Sequence, residues 1–154
     1  MLLYELIKKC DQRNLKKSSH GKCIDCNYGE ACPHDCKVCL EYVHFPKRAP
    51  YVRKYDCVHM ADSYYCKYSF RYASEIVYGL RRFTDIKNKD KLKVMSVGCG
   101  PCTELAAIDY LHQVNELNYA TLEFRGIDPL EDVWENIWED IKEYFGICRC
   151  NYRK

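Results

Sequence analysis

"VMSVGCGPCTELAAIDYL", Val94 to Leu111, is the stretch that decides the fold. It opens inside "LKVMSV", a short, nearly continuous apolar run of the kind a strand buried in a parallel sheet shows. Gly98 and Gly100 follow at once. Two glycines at the end of a strand let the chain turn tightly and bring bare backbone close to a ligand. From Thr103 to Asn115, Leu105, Ala106, Ile108, Leu111 and Val114 keep helical spacing, so a helix begins with its amides facing the same space.

The pattern continues downstream. "ATLEFRGID" reads as a second strand ending at Asp128, and Pro129 suits the first position of a helix capped by Asp128. That helix carries Val133, Trp134, Ile137, Trp138, Ile141, Tyr144 and Phe145 on a 3.6-residue period and stops at Gly146. Upstream, "DSYYCKYSFRYASEIVYGLRRF", Asp62 to Phe83, is a helix with Asp62 or Ser63 as its cap, and "TDIKNKDK" is a polar turn before the first strand. Leu2, Leu3, Leu6 and Ile7 place a short amphipathic helix over residues 2 to 13. Pro46 and Pro50 make "FPKRAPYVRKY" an extended connector. The chain therefore divides into an N-terminal module, residues 1 to 50, and an α/β unit, residues 51 to 154.

Near-neutral total charge conceals an asymmetry. Residues 1 to 93 carry 19 Lys or Arg against 11 Asp or Glu, whereas residues 94 to 154 carry 5 against 11. A basic front and an acidic back suggest two functional units. With 47% apolar residues and 14 tyrosines, a folded protein is expected. No apolar run reaches the roughly 18 residues that span a bilayer, and Glu5 interrupts the opening apolar stretch, so a cytoplasmic protein without a membrane anchor is expected.

Twelve cysteines in such a setting are metal ligands and free thiols rather than a disulfide framework. "CIDCNYGEACPHDCKVC" holds Cys23 and Cys26 in one two-residue knuckle and Cys36 and Cys39 in another. Two such knuckles supply the four thiolates of a tetrahedral structural zinc. Cys32 and His34 lie between them and leave the ligand set open, including an iron–sulfur arrangement through Cys32, Cys36 and Cys39. A second site is conceivable from Cys57, His59 and Cys66, completed by Cys32 or His34. A closed four-sulfur site has no open coordination position, so its expected role is to fold a segment too small for a core of its own.

"VMSVGCGPCTE" together with "FRGIDP" resembles the first two motifs of class I S-adenosylmethionine-dependent methyltransferases. The resemblance implies a Rossmann-like fold, here a truncated half-sheet behind a helical, zinc-stapled N-terminal module. It also implies that Gly98, Cys99 and Gly100 line the S-adenosylmethionine and that Asp128 holds its ribose. Ser96 stands where that family usually carries an acid, and Cys102 replaces a third glycine, so its side chain is expected to narrow the approach to the cofactor. The likeness covers about residues 92 to 146, the first β-α-β-α unit. Helices ahead of the glycine loop often form a lid in that family, a part that Tyr64, Tyr65, Tyr68 and Tyr72 would take.

Two parallel strands leave both edges unpaired and one face poorly covered, a state proteins remedy by pairing or cover. A second copy of the chain or a protein partner is expected there, with Trp134 and Trp138 at the contact. Residues 47 to 82 interleave tyrosines with Lys47, Arg48, Arg53, Lys54, Lys67, Arg71, Arg81 and Arg82, which suits nucleic acid or, more simply, a core helix with a solvated basic face. Two functions follow. One is a non-enzymatic adaptor, inhibitor or cofactor-responsive module; the other is a methyltransferase of nucleic acid or protein, completed by dimerisation or by a further C-terminal half.

Overall fold

The computed structural model describes residues 1–18, 35–45 and 54–146 and shows in them five helices and a two-stranded parallel sheet. Helix α1 spans Leu2–Ser18, α2 Cys36–His44, α3 Val58–Leu80, α4 Thr103–Gln113 and α5 Glu131–Phe145. Strand β1 is Asn88–Val97 and β2 Asn118–Ile127, in register from Asn88 opposite Asn118 to Val97 opposite Ile127. Among the described residues, no helix is long and apolar enough to cross a membrane.

The sheet has two unlike faces because successive side chains alternate. Leu92, Phe124 and Gly126 are buried on one side, with Val94 and Leu122 half-buried beside them. On the other side Lys91, Lys93, Met95, Val97, Thr121, Glu123 and Arg125 are exposed, Met95 by 64% and Val97 by 77%. The inner face packs in two places. Leu92 meets Val77 of α3 and Ala107, Ile108 and Leu111 of α4, while Phe124 shares a larger cluster with α1, α3, α4 and α5.

That larger cluster holds Leu2, Leu6 and Cys10 of α1, Tyr65 of α3, Leu105 of α4, and Trp134, Trp138 and Ile141 of α5. Helix α1 thus belongs to the same core as the α/β elements. Trp134 and Trp138 are 4% and 3% exposed and lie inside the chain, where the apolar stripe of α5 meets α1 and α3, rather than at a surface contact. A smaller cluster of Cys39, Leu40, Cys57 and Met60 seats α2 on the start of α3.

Polar ties orient α1. The Leu2 amide donates to Asp109 Oδ2 of α4 at 2.8 Å. Arg13 forks onto buried Asp62 of α3, Nε to both oxygens at 3.0 Å and Nη2 to Oδ1 at 2.7 Å, and reaches Asp140 of α5 through Nη1 at 2.6 Å. Burial opposes the guanidinium charge, but the Asp62 and Asp140 carboxylates outweigh it and raise the Arg13 pKa.

Several boundaries differ from the sequence reading. Asp62 does not cap α3; the helix begins at Val58, and Asp62 lies inside it, held by Arg13. The supposed polar turn supplies Asn88 to Lys91 of β1, which pair through backbone groups while their side chains stay in solvent. Helix α5 starts two residues after Pro129, with Leu130 at the cap position, and the Asp128 carboxylate accepts from the Leu130 amide just ahead of it and from the Gly100 amide. Helix α2 rises within the cysteine cluster, capped by Asp35, which accepts from the Lys37 and Val38 amides at 2.8 and 3.4 Å.

Candidate functional site

Both strands end on one side of the sheet, and both following helices begin there, the position where parallel α/β sheets bind ligands. The glycine loop is pinned over the end of β2. The Gly98 and Cys99 amides both donate to the Ile127 carbonyl, at 2.7 and 3.2 Å. Gly98 has φ +70° and Gly100 φ +49°, left-handed values that glycine adopts without a Cβ clash. The Gly100 carbonyl accepts from the Trp138 indole at 2.7 Å.

Asp128 closes the clamp from the second strand. Its Oδ2 accepts from the Gly100 amide and its Oδ1 from the Leu130 amide, each at 2.8 Å. One carboxylate thus joins the glycine loop to the start of α5. Each oxygen keeps a further lone pair for a ligand.

A cavity of about 570 Å³ opens above this clamp. It is lined by Gly98, Cys99 and Gly100 of the loop, by Tyr55, Tyr64 and Tyr72, and by Glu104, Asp128 and Trp134. Glu75 stands at the edge, and no Lys or Arg lines the cavity among the described residues. Carboxylates and ring faces without cations favour a positively charged ligand.

The tyrosine wall is itself packed. Tyr64 lies 5.6 Å edge-on to Trp134, and Tyr68 stacks on His44 at 5.3 Å. His44 Nε2 is 2.5 Å from the Tyr55 hydroxyl. Burial, then the neighbouring Tyr68 and Tyr72, pushes the Tyr55 pKa up to about 12, and burial with Tyr72 and Tyr55 raises that of Tyr64. Burial and then Lys67 lower the His44 pKa. At neutral pH the wall is therefore a set of uncharged rings. Tyr65, grouped with these tyrosines from the sequence, faces the core instead and is fully buried.

Cys102 does not narrow the cavity. The residue adopts φ +54°, is fully buried, and directs its sulfur toward the Gly100 carbonyl at 4.0 Å, beneath the loop. The left-handed turn carries the side chain into the core, where it packs with Leu105 and Phe124.

Three residues take a place in the site that the sequence did not assign them, Glu104 and Gly126 unremarked there and Trp134 expected at a partner contact instead. Glu104, in the first turn of α4, accepts from Ser96 Oγ at 2.6 Å, bringing a carboxylate to the end of β1. Trp134 supports Gly100 from below, with ring atoms 3.8 Å from where a Cβ would stand. Gly126 leaves room for Cys99: a Cβ there would meet Cys99 Sγ at 2.7 Å and a Phe124 ring atom at 3.1 Å. Gly126→Ala is accordingly expected to cost about 1–3 kcal/mol and to push the thiol toward the cavity. A thermal melt checks this, and adding Cys99→Ala should recover part of the loss.

The metal candidates divide. Cys23, Cys26, Cys32 and His34 lie outside the described residues. Cys36 and Cys39 are the first and fourth residues of α2, buried and on adjoining turns of one helix side. Cys57 packs in the same small cluster as Cys39, with half-buried His59 nearby in sequence on α3. Cys66 turns the other way, toward α1, where it donates to the Ile7 carbonyl at 3.8 Å. Among the described residues, no group of three or more His, Cys, Asp or Glu side chains is arranged to hold a metal ion.

Of the basic candidates, Lys47, Arg48 and Arg53 lie outside the described residues. Arg71 pairs with Glu75 at 3.0 Å, Arg81 with Glu116 at 2.6 Å and Lys67 with Glu41 at 3.9 Å, while Arg82 lies over the Tyr78 ring. Much of the positive charge on α3 is thus already matched. Comparison with protein-family models, with curated proteins and with solved structures finds no match to this chain.

Proposed function

We propose that the chain is a methyltransferase-like binding module, with a Rossmann-like half-sheet whose glycine-loop cavity takes S-adenosylmethionine. The observation that carries this reading is the Asp128 clamp, which joins the Gly100 and Leu130 amides at the mouth of a cavity set on the ends of two parallel strands. S-adenosylmethionine brings a sulfonium, an ammonium and two ribose hydroxyls. The tyrosine rings and the Glu104 carboxylate suit the cations, Glu75 being paired with Arg71, and the spare lone pairs of Asp128 suit the hydroxyls.

Zinc belongs to the same proposal. Cys36 and Cys39, buried together on α2, fit one half of a four-thiolate site, and Cys23 and Cys26 would supply the other. Bound there, zinc contributes folding free energy and no chemistry. The uncovered sheet face, with Met95 and Val97 exposed, supports a role in assembly, through a second copy of the chain or a protein partner.

Native mass spectrometry with and without S-adenosylmethionine tests the reading, since one spectrum reports zinc, cofactor and copy number together. A zinc-loaded chain that takes up cofactor is the expected result; one that ignores it overturns cofactor binding. Asp128→Ala should weaken uptake at least tenfold, more than follows from the ~1 kcal/mol of stability lost with a local backbone cap. Titration calorimetry beside a thermal melt separates the two effects.

A further inference from the structure

Two buried polar atoms of residues that line the cavity have no hydrogen-bond partner among the described residues. Glu104 Oε2 is buried and accepts no hydrogen bond, although Oε1 of the same carboxylate is held by Ser96 at 2.6 Å. Trp134 Nε1 is buried and donates none, in a residue 96% buried by its 4% exposure. Both residues line the same cavity. An orphaned carboxylate oxygen out of water is a costly group to retain, so a donor of positive charge is the partner that best relieves it.

We propose that Glu104 is a ligand-binding residue that receives the ammonium group of a cofactor's amino-acid end. The inference rests on the reading of the cavity as an S-adenosylmethionine site and deepens it. Ser96 has a specific part. Its hydroxyl occupies Oε1 and fixes the carboxylate, leaving Oε2 as the oxygen without a partner. A sulfonium carries charge but no N–H, so it cannot satisfy Oε2, whereas an ammonium offers three donors. The Trp134 indole N–H is left for an acceptor oxygen on the same ligand. Tyr55, Tyr64 and Tyr72 line the same cavity, and Asp128, at the end of β2, is already bound to two amides. Charge recognition at the amino-acid end and hydroxyl recognition at Asp128 are thereby divided between α4 and the end of β2.

Glu104→Gln tests this, because the amide keeps the shape and the acceptor for Ser96 but loses the charge. Two probes are titrated calorimetrically into the full chain: S-adenosylhomocysteine, and 5′-methylthioadenosine, which has the same neutral thioether but lacks the amino-acid end. The expected result is a loss of about ten- to a hundredfold in affinity for the first and less than about twofold for the second. Equal affinity of both proteins for S-adenosylhomocysteine overturns the role of Glu104 and leaves the cofactor reading intact. Equal loss for both probes also overturns it, as damage to the glycine loop. Binding of neither probe by the unaltered chain overturns the cofactor reading and this inference with it.

A ligand-free melt supplies a second readout. A carboxylate held for a ligand should leave the melting temperature unchanged or raise it when neutralised. A fall on Glu104→Gln shows instead that the charge serves the fold, and overturns the proposal.

Discussion

Cys36→Ser is expected to leave purification without zinc and with α2 unfolded. Helix α2 has nine residues, too few to persist alone in water, and it is seated mainly by Cys39 and Leu40 against Cys57 and Met60. That small cluster is too small to hold the helix by itself, so the proposed metal carries the segment. Structural zinc in small modules contributes about 10–16 kcal/mol of apparent binding free energy, which becomes folding free energy where no site exists in the unfolded chain. Serine is a poor zinc ligand, and three thiolates leave the site open. Zinc content should fall to background, and amide exchange over residues 36–44 should lose its protection while α4 and α5 keep theirs. Cys99→Ser, in the glycine loop, should retain full zinc. A Cys36→Ser protein with full zinc and unchanged melting would refute the assignment.

The legible parts of the molecule were those written as a period. The stripe from Val133 to Phe145 predicts α5, and its residues are buried as far as Ile141, whereas Tyr144 at the end of the helix is exposed. "LKVMSV" before Gly98 likewise predicts the end of β1 and the loop after it. Backbone pairing leaves no such trace. Asn88, Lys89, Asp90 and Lys91 have exposed polar side chains and join the strand through backbone pairing, with no apolar pattern to announce it. Helix α2 was hidden by its cysteines, whose spacing speaks for metal before it speaks for a helix. Asp128 shows a different limit. An acid before Pro129 predicts a helix cap, but its partners are the Gly100 amide, twenty-eight positions back, and the Leu130 amide. Glu104 was invisible for the same reason: a glutamate in the first turn of a helix is ordinary, and only the approach of Ser96 from the strand gives it a place in the site. The cavity depends on such long-range pairs, which no local pattern encodes.

Arg13→Met is the other substitution with a large expected effect. Asp62 is 1% exposed, and the Arg13 fork is what compensates its burial. A buried carboxylate stripped of its partner loses about 3–5 kcal/mol, since its desolvation remains while the attraction is gone. Asp140 suffers less, because Lys9 Nζ still reaches it at 3.1 Å. Arg13→Lys should fall between, as an ammonium cannot span both Asp62 oxygens and Asp140 with fixed donors. The decisive protein is the double variant Arg13→Met with Asp62→Leu. If the loss comes from an abandoned charge rather than from missing contacts of the arginine stem, removing the charge as well should restore most of the stability. Denaturant midpoints for the four proteins close the cycle. A single variant within about 0.5 kcal/mol of the parent would mean that Asp62 is reached by water despite its burial. A double variant as weak as Arg13→Met would mean that the aliphatic stem of Arg13, wedged between α1, α3 and α5, holds the helices together, and the ion pair only sets their angle.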